Sequence, residues 1–462
     1  MSIPTERATS PLMRNDDEVI LTGWGRTSPS AATVTDPDSI EDVQAAIVHA
    51  NTRGVLARGL GRSYGDAAQS GGATVLLMPS MNTFTLDPAA KTVTAAAGAS
   101  LNEILAGIVP NGFFVPVTPG TRMVTVGGAI AADIHGKNHH IDGSFGSHVT
   151  SMTIVDGTGA IRVLAPNDPK THDDFWATVG GMGLTGVIVE ATFTVIPIES
   201  SLMSVDTERG NDLDDVMARM LAADARYRYS VAWIDSVSAA GRGVIISGEH
   251  ATLDQLPAAK RGSARAYAPK VVATAPKIIP GGLINKLSMR AFNETWFRKH
   301  PKQRAGDLHS IASFFHPLDG VQEWNRVYGP SGFLQYQFLV PDSAGEVIGT
   351  ALAQLRAVGA PSFLTVLKRF GPANPGPLSF PDKGWTLAMD IPTGVDGLAA
   401  TLDGLDELVA ESGGRLYLAK DSRQSPEMFR RTYPRLAQWQ KVRATMDPHA
   451  VFTSDLARRL QL

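Results

Sequence analysis

Two hydrophobic textures alternate along the chain. Up to about residue 200, short apolar runs are cut by glycines, a pattern that predicts strands with few helices. "TVTAAAGAS" alternates as a strand, and "SLNEILAGIVPNG" follows with Ser100 and Glu103 in capping-box spacing, a helix that closes by Gly112. "VTSMTIVDGTGAIRVL" reads as two strands around an Asp-Gly turn. "DDFWATVGGMGLTGVIVEATFTVIPI" reads as a short helix, a glycine-rich turn and a long strand ending at Pro197. Beyond residue 200, helical stretches such as "LDDVMARMLAADARY" alternate with strands "YSVAWIDS", "GRGVIISGEH", "GFLQYQFLVP" and "PSFLTVLKRFG", an α+β pattern with a sheet that covers something. The tail returns to the first texture. "GGRLYLAKDS" reads as a strand with Leu416, Leu418 and Lys420 on one face and Tyr417 on the other, after which Ser425 and Pro426 supply the N-cap and first-turn proline of a helix.

At 462 residues with 43% hydrophobic content the chain can bury a large core, which favours two or three domains. No apolar stretch approaches the roughly 20 residues of a membrane span, and "MSIPTERATSPLMRNDDEVI" carries no apolar core of a secretory signal, so none is expected. Cysteine is absent, which excludes disulfides, cysteine-ligated metals, thiol catalysis and a cofactor tethered through sulfur. The net charge of −3 gives no case for nucleic-acid binding. Charge is uneven, however: residues 260–304 hold eleven Lys and Arg against one acid, Glu294, among apolar and aromatic residues. That segment is either a solvated mobile loop or a surface for an anionic membrane or lipid phosphate, where each basic residue contributes roughly 1 kcal/mol.

The candidate chemistry begins at "RGLGRSYGD". Gly59, Gly61 and Gly65 give GxGxxxG rather than the dinucleotide fingerprint GxGxxG, the sequence heads for a strand instead of a helix, and no GK[ST] follows. The turn is either an ordinary tight one or a nest of backbone N–H groups for an anion. Lys420 ends an apolar run, so it either snorkels to water or faces an anion. Gln335 and Gln337 share one face of their strand, with Tyr336 and Phe338 on the other. His135, His139 and His140 invite a metal reading, but no carboxylate sits in ligand-like spacing, and no metal is expected.

Four ordered motifs, "RGLGRSYGD", "PVTPGTRMVTVGGAIAADIHGKNHH", "GGMGLTGVIVEATF" and "DPHAVFTSDLARRL", together resemble the FAD-binding family of vanillyl-alcohol oxidase and p-cresol methylhydroxylase. Within it the chain is most similar, through "IHGKNHH", "LQYQF" and "YLAKDSR", to members that oxidise a polyprenyl-phosphate-linked ribose. The resemblance implies a two-domain α+β fold: residues 1–197 and 413–462 build the FAD-binding domain, and 198–412 an antiparallel-sheet substrate domain carrying the basic segment 260–304. It implies FAD bound by Arg58, Gly59, Leu60, Gly61, Arg62, Ser63 and Tyr64, by Gly120, Thr121, Gly127, Ala129, His135, Gly136 and Asn138, by Gly183, Gly186 and Ile188, and by Tyr417 and Lys420. Members that tether the flavin carry histidine where this chain has Arg62, so the FAD is expected to be non-covalent unless His135 is attached.

The same resemblance assigns catalysis to Lys420, Tyr64 and His135, and the substrate to Lys137, Trp233, Gln335, Gln337, Lys368, Thr386 and Ala388, with Lys368 as the cation for the sugar phosphate. The proton of the reacting hydroxyl goes to Lys420 or to a water held by Tyr64, and Lys420 serves either as that base or as a stabiliser of developing negative charge. The implied reaction turns the 2′-hydroxyl into a ketone, which a separate NADH-dependent keto-reductase reduces on the other face. Peripheral contact with the inner membrane of the cell envelope is implied, with the periplasmic side favoured by the resemblance and the cytoplasmic side left open by the absence of a visible signal peptide. Two rival readings stay open: a soluble sugar or aldonolactone oxidase of the same family, and a non-catalytic flavin or lipid-phosphate binding protein.

Overall fold

The computed structural model describes residues 14–15, 18–277, 284–360 and 362–462. The start of the chain, on which the expectation about a secretory signal falls, and residues 278–283 of the basic segment lie outside the described residues.

Three sheets position the site. In the first, strands Ser30–Thr35, Thr74–Leu77 and Val55–Arg58 run parallel, extended by two short antiparallel strands, Glu18–Leu21 and Arg14–Asn15. The glycine turn leaves the C-terminal end of Val55–Arg58 and leads into strand Thr74–Leu77, without a helix behind it. The second sheet is antiparallel, in the order Ile161–Leu164, Val149–Val155, Val187–Thr194, Thr92–Ala96, Phe84–Asp87. It contains the hairpin around Asp156-Gly157, and Thr92–Ala96 alternates between buried and half-buried as its sequence does. Helix Leu101–Ile108 packs on it, opened by the reciprocal hydrogen bonds of Ser100 and Glu103.

The third sheet has eight antiparallel strands in the order Gln303–Ser310, Leu202–Gly210, Gly243–His250, Tyr229–Ile234, Thr365–Phe370, Gly384–Pro392, Phe333–Val340, Arg415–Leu416. Its two faces have different fates. Helices Leu213–Asp224, Glu346–Ala357 and Leu398–Glu411 cover one face, where Tyr336, Phe338, Leu367, Leu387 and Met389 meet Val216, Leu352 and Leu405. The alternate residues of the same strands point the other way, toward the glycine loops.

Two local expectations change. The strand at "GGRLYLAKDS" stops at Leu416, and Tyr417–Lys420 is a turn closed by Lys420 N–H donating to the Tyr417 carbonyl at 2.9 Å. Alternation therefore does not set the direction of Lys420. The basic segment is not a bare loop: its described parts include helix Lys286–Lys299, capped by Asn285, and the start of edge strand Gln303–Ser310.

Candidate functional site

A cavity of about 410 Å³ lies between the glycine loops and the open face of the eight-stranded sheet. Every residue expected at the site lines it except Arg58, Ala129 and Asn138. Those three act one layer out. The Arg58 guanidinium reaches back to the carbonyls of Ala68 and Thr22, and burial pulls its pKa down to about 10. Ala129 packs in the hydrophobic core. Asn138 donates to the Pro116 carbonyl and to Asp142.

The loop wall works through backbone. No backbone N–H of Leu60, Gly61, Arg62 or Ser63 donates to an acceptor among the described residues, and Gly61 sits at φ +64°, where a side chain would be strained. These free donors make the anion nest that the glycine spacing leaves open. The turn is held by its neighbours. Tyr64 N–H donates to the Ala419 carbonyl at 2.9 Å, and Gly65 lies so close to the C-terminal segment that a Cβ would stand 1.8 Å from the Asp421 carbonyl oxygen. Arg459 of the terminal motif clamps the join by donating to Asp66 and Asp421 at 2.8 to 2.9 Å. Gly120 and Gly183 have nothing within 4 Å of where a Cβ would be, so backbone faces the open cavity there too.

The sheet wall works through side chains. Gln335 and Gln337, Thr386 and Ala388, Lys368, and Trp233 project from four adjacent strands, as alternation predicts for the glutamines. None of the described residues lining the cavity is acidic, while Arg62, Lys137, Lys368 and Lys420 all are basic. Lys137 donates to the Phe314 carbonyl and lies 4.3 Å from the Phe314 ring centre. Lys368 and Lys420 have no hydrogen-bond acceptor among the described residues; the Lys420 ammonium rests 3.8 Å from the centre of the Tyr64 ring. The lysines touch the cavity on one side and protein elsewhere, and loss of water lowers their pKa: to about 7 for Lys137, about 8 for Lys368 and about 7 for Lys420. Burial pushes the Tyr64 hydroxyl well above its ordinary value, so it stays a neutral donor.

The three histidines part company. His135 lines the cavity, where the Gln337 amide meets its Nε2 at 3.0 Å, and burial followed by the Lys368 charge holds its pKa well below the ordinary value. His139 accepts from the Gly371 N–H, and His140 bonds the Tyr227 carbonyl beside Asp224. Arg62 stacks on Trp24 at 3.8 Å, so no imidazole stands at that point of the cavity. Sequence reasoning missed Trp24, Trp296 and Trp324, which reach the cavity from distant segments with no shared spacing. It also missed Asp390, which follows Thr386 and Ala388 on one strand face in "TLAMDIP"; alternation was the signal that could have found it.

A family model described as FAD binding domain matches residues 31–165, and one described as D-arabinono-1,4-lactone oxidase matches residues 399–460. The decaprenylphosphoryl-β-D-ribose oxidase of Mycolicibacterium smegmatis is 45% identical over 96% of this chain and 97% of its own length. The chain belongs to that flavoprotein family. It is an FAD-dependent oxidoreductase with an α+β fold. An uncharacterized protein in the mprA 5′ region of Streptomyces coelicolor is 39% identical over 79% of this chain and its whole length, and a D-lactate dehydrogenase of Anaerostipes hadrus is 27% identical over 44% of this chain and 43% of its own. FAD fits the residues present, since the free N–H groups of the 60–63 turn suit a pyrophosphate and the side-chain-free backbone at Gly120 and Gly183 admits a flat ring system.

Proposed function

We propose that the protein oxidises the 2′-hydroxyl of decaprenylphosphoryl-β-D-ribose to the 2′-ketone, with Lys420 acting on the reacting hydroxyl and Lys368 holding the phosphate. The observation that carries this reading is the pair of ammonium groups without acceptors, Lys368 and Lys420, on a cavity wall whose remaining polar groups are the uncharged Gln335, Gln337 and Thr386. Amides suit sugar hydroxyls, and half-buried ammonium groups that face a cavity without an acceptor suit a phosphate or a reacting oxygen brought by a ligand.

Bound FAD supplies the hydride acceptor. With a pKa of about 7, Lys420 is divided between amine and ammonium near neutrality. The amine takes the hydroxyl proton as the 2′ carbon gives up hydride, and the ammonium stabilises negative charge at the same place. Tyr64 supports the Lys420 head group on its ring face. Gln337 and His135 hold each other, which fixes the amide that faces the sugar.

In this reading the FAD is non-covalent, since Arg62 occupies the tethering position and the chain has no cysteine. The 2′-ketone leaves for a separate NADH-dependent reductase, and the pair of reactions makes an arabinose donor for cell-wall arabinan. The basic segment, with Val272 82% and Leu287 79% exposed beside its cations, serves as the contact with the inner membrane of the envelope, on its periplasmic side. No helix among the described residues is long and apolar enough to cross a membrane. The domain division at 197 and 412 belongs to the same reading.

Anaerobic mixing with a short prenylphosphoryl ribose, followed by flavin absorbance, is the test. Bleaching by that compound and not by free ribose is expected; no bleaching overturns the proposal. The lactone-oxidase match at residues 399–460 favours one other reading, a soluble lactone oxidase, which bleaching by aldonolactones with peroxide release would select.

A further inference from the structure

Behind the sheet wall stands one carboxylate for which the reading above has no use. Asp390 has no exposed surface and lies in the same strand-face row as Thr386 and Ala388, directly across from Gln335. Its Oδ1 accepts from Gln335 Nε2, while its Oδ2 has no partner among the described residues. A buried carboxylate oxygen left without a donor is costly, so its retention calls for a reason. The surrounding groups suggest one. Gln335, held by Asp390, lines the cavity together with Tyr64 and Lys420, and Tyr64 carries the Lys420 ammonium on its ring. The cavity wall itself holds no acid among the described residues, and Asp390 is the acidic group whose charge reaches Lys420.

We propose that Asp390 is a positioning residue for the reaction, which orients Gln335 on the cavity wall that also carries Tyr64 and Lys420 and, as the buried carboxylate behind that wall, sets the electrostatic environment of the Lys420 head group. It acts without touching substrate or flavin. Burial raises its own pKa and lowers that of Lys420, and each group favours the charged form of the other. This rests on the assignment of Lys420 to the chemistry.

The test is the pH profile of flavin reduction in the holoenzyme. In wild type the limb set by Lys420 is expected near neutrality, and Lys420→Met should abolish it. Asp390→Asn keeps shape and hydrogen-bonding capacity but removes the charge. It should move that limb toward acid by about one pH unit, whether Lys420 works as amine or as ammonium, and in the Lys420→Met background it should move nothing further. A limb that vanishes in Lys420→Met yet stays in place in Asp390→Asn overturns the role of Asp390 alone. A limb that survives Lys420→Met overturns the Lys420 assignment and this inference with it. A second measurement does not need Asp390→Asn to fold: the infrared carbonyl band of a protonated buried carboxyl should persist to higher pH in Lys420→Met than in wild type, because the neighbouring cation is gone. Identical titration of that band in the two proteins overturns the coupling.

Discussion

The two walls of the cavity solve the problem of binding charge in opposite ways. The loop wall presents backbone N–H groups of residues 60–63, fixed by a close approach at Gly65 and clamped by Arg459, so its donors carry no titratable proton. The sheet wall presents Lys368 and Lys420 on regular elements and a turn, half-buried and unpaired, so its donors respond to pH and to what is bound. A wall of backbone suits a cofactor that stays, and a wall of depressed lysines suits a substrate that arrives, reacts and leaves. Breaking the first should cost cofactor and fold together; breaking the second should leave a yellow protein that does not turn over.

The largest effect is therefore expected at Gly65. Gly65→Val drives a side chain into the Asp421 carbonyl, 1.8 Å from the Cβ position, and backbone on both sides cannot yield as a flexible side chain would. Loss of FAD on gel filtration, with a lowered melting temperature, is the expected result; full retention of FAD would show that the loop is not braced by this contact. Next comes Lys420→Met, which should keep FAD and lose about 10²–10³-fold in the rate of flavin reduction, the scale of removing one electrostatic stabiliser. Cofactor loss equal to that of Gly65→Val would erase the distinction between the walls.

How far the sequence reveals these walls follows from the same contrast. Gln335 and Gln337 were legible because their strand is regular and only one of its faces is covered by helices, so period two translates directly into in and out. The capping box at Ser100 and the hairpin at Asp156-Gly157 were legible for equally local reasons. Lys420 was not legible from its neighbours. The strand ends four residues before it, and the turn Tyr417–Lys420 aims the side chain, so only the resemblance pointed to it. Arg58 shows the reverse limit: it stands at the head of the glycine motif, but its guanidinium turns back to brace the loop instead of lining the cavity. The tryptophans at 24, 296 and 324 meet only through tertiary packing, which no spacing encodes.

Lys368→Met sharpens the comparison on the substrate side. Losing one charge-assisted contact to a phosphate should raise the KM about 10–100-fold, with flavin content unchanged. The same change bears on stability. Lys137, Lys368 and Lys420 titrate at about 7, 8 and 7 in the fold against an ordinary lysine value of 10.5. Between roughly pH 7 and pH 10 the unfolded chain thus binds more protons than the folded one, and stability of the substrate-free protein rises with pH across that window. Asp390, raised to about 7, acts with the opposite sign and only below that pH. Thermal melts should show the rise, and Lys368→Met should shrink it; a melting temperature that falls steadily from pH 7 to pH 9 in wild type, relative to Lys368→Met, would contradict the burial of these charges.

The smallest effect is expected at Ala388, which makes it the sharpest probe of the sheet wall. The residue faces the cavity between Gln337 on one neighbouring strand and Val366 on the other, and its side chain is a single methyl group. Replacing it by cysteine adds one sulfur to open space, so folding, flavin content and turnover should change by less than about twofold. Because the chain has no other cysteine, any thiol adduct reports on this position alone. Facing a cavity lined by Lys368 and Lys420, the new thiol should ionise more readily than a free one and react with a small alkylating reagent. A prenylphosphoryl ribose should slow that labelling by covering the wall, whereas inorganic phosphate, which satisfies Lys368 without filling the space over the strands, should slow it less. Equal protection by both would mean that the substrate does not lie across residues 386–388, and a thiol that never reacts would mean that this strand face is closed.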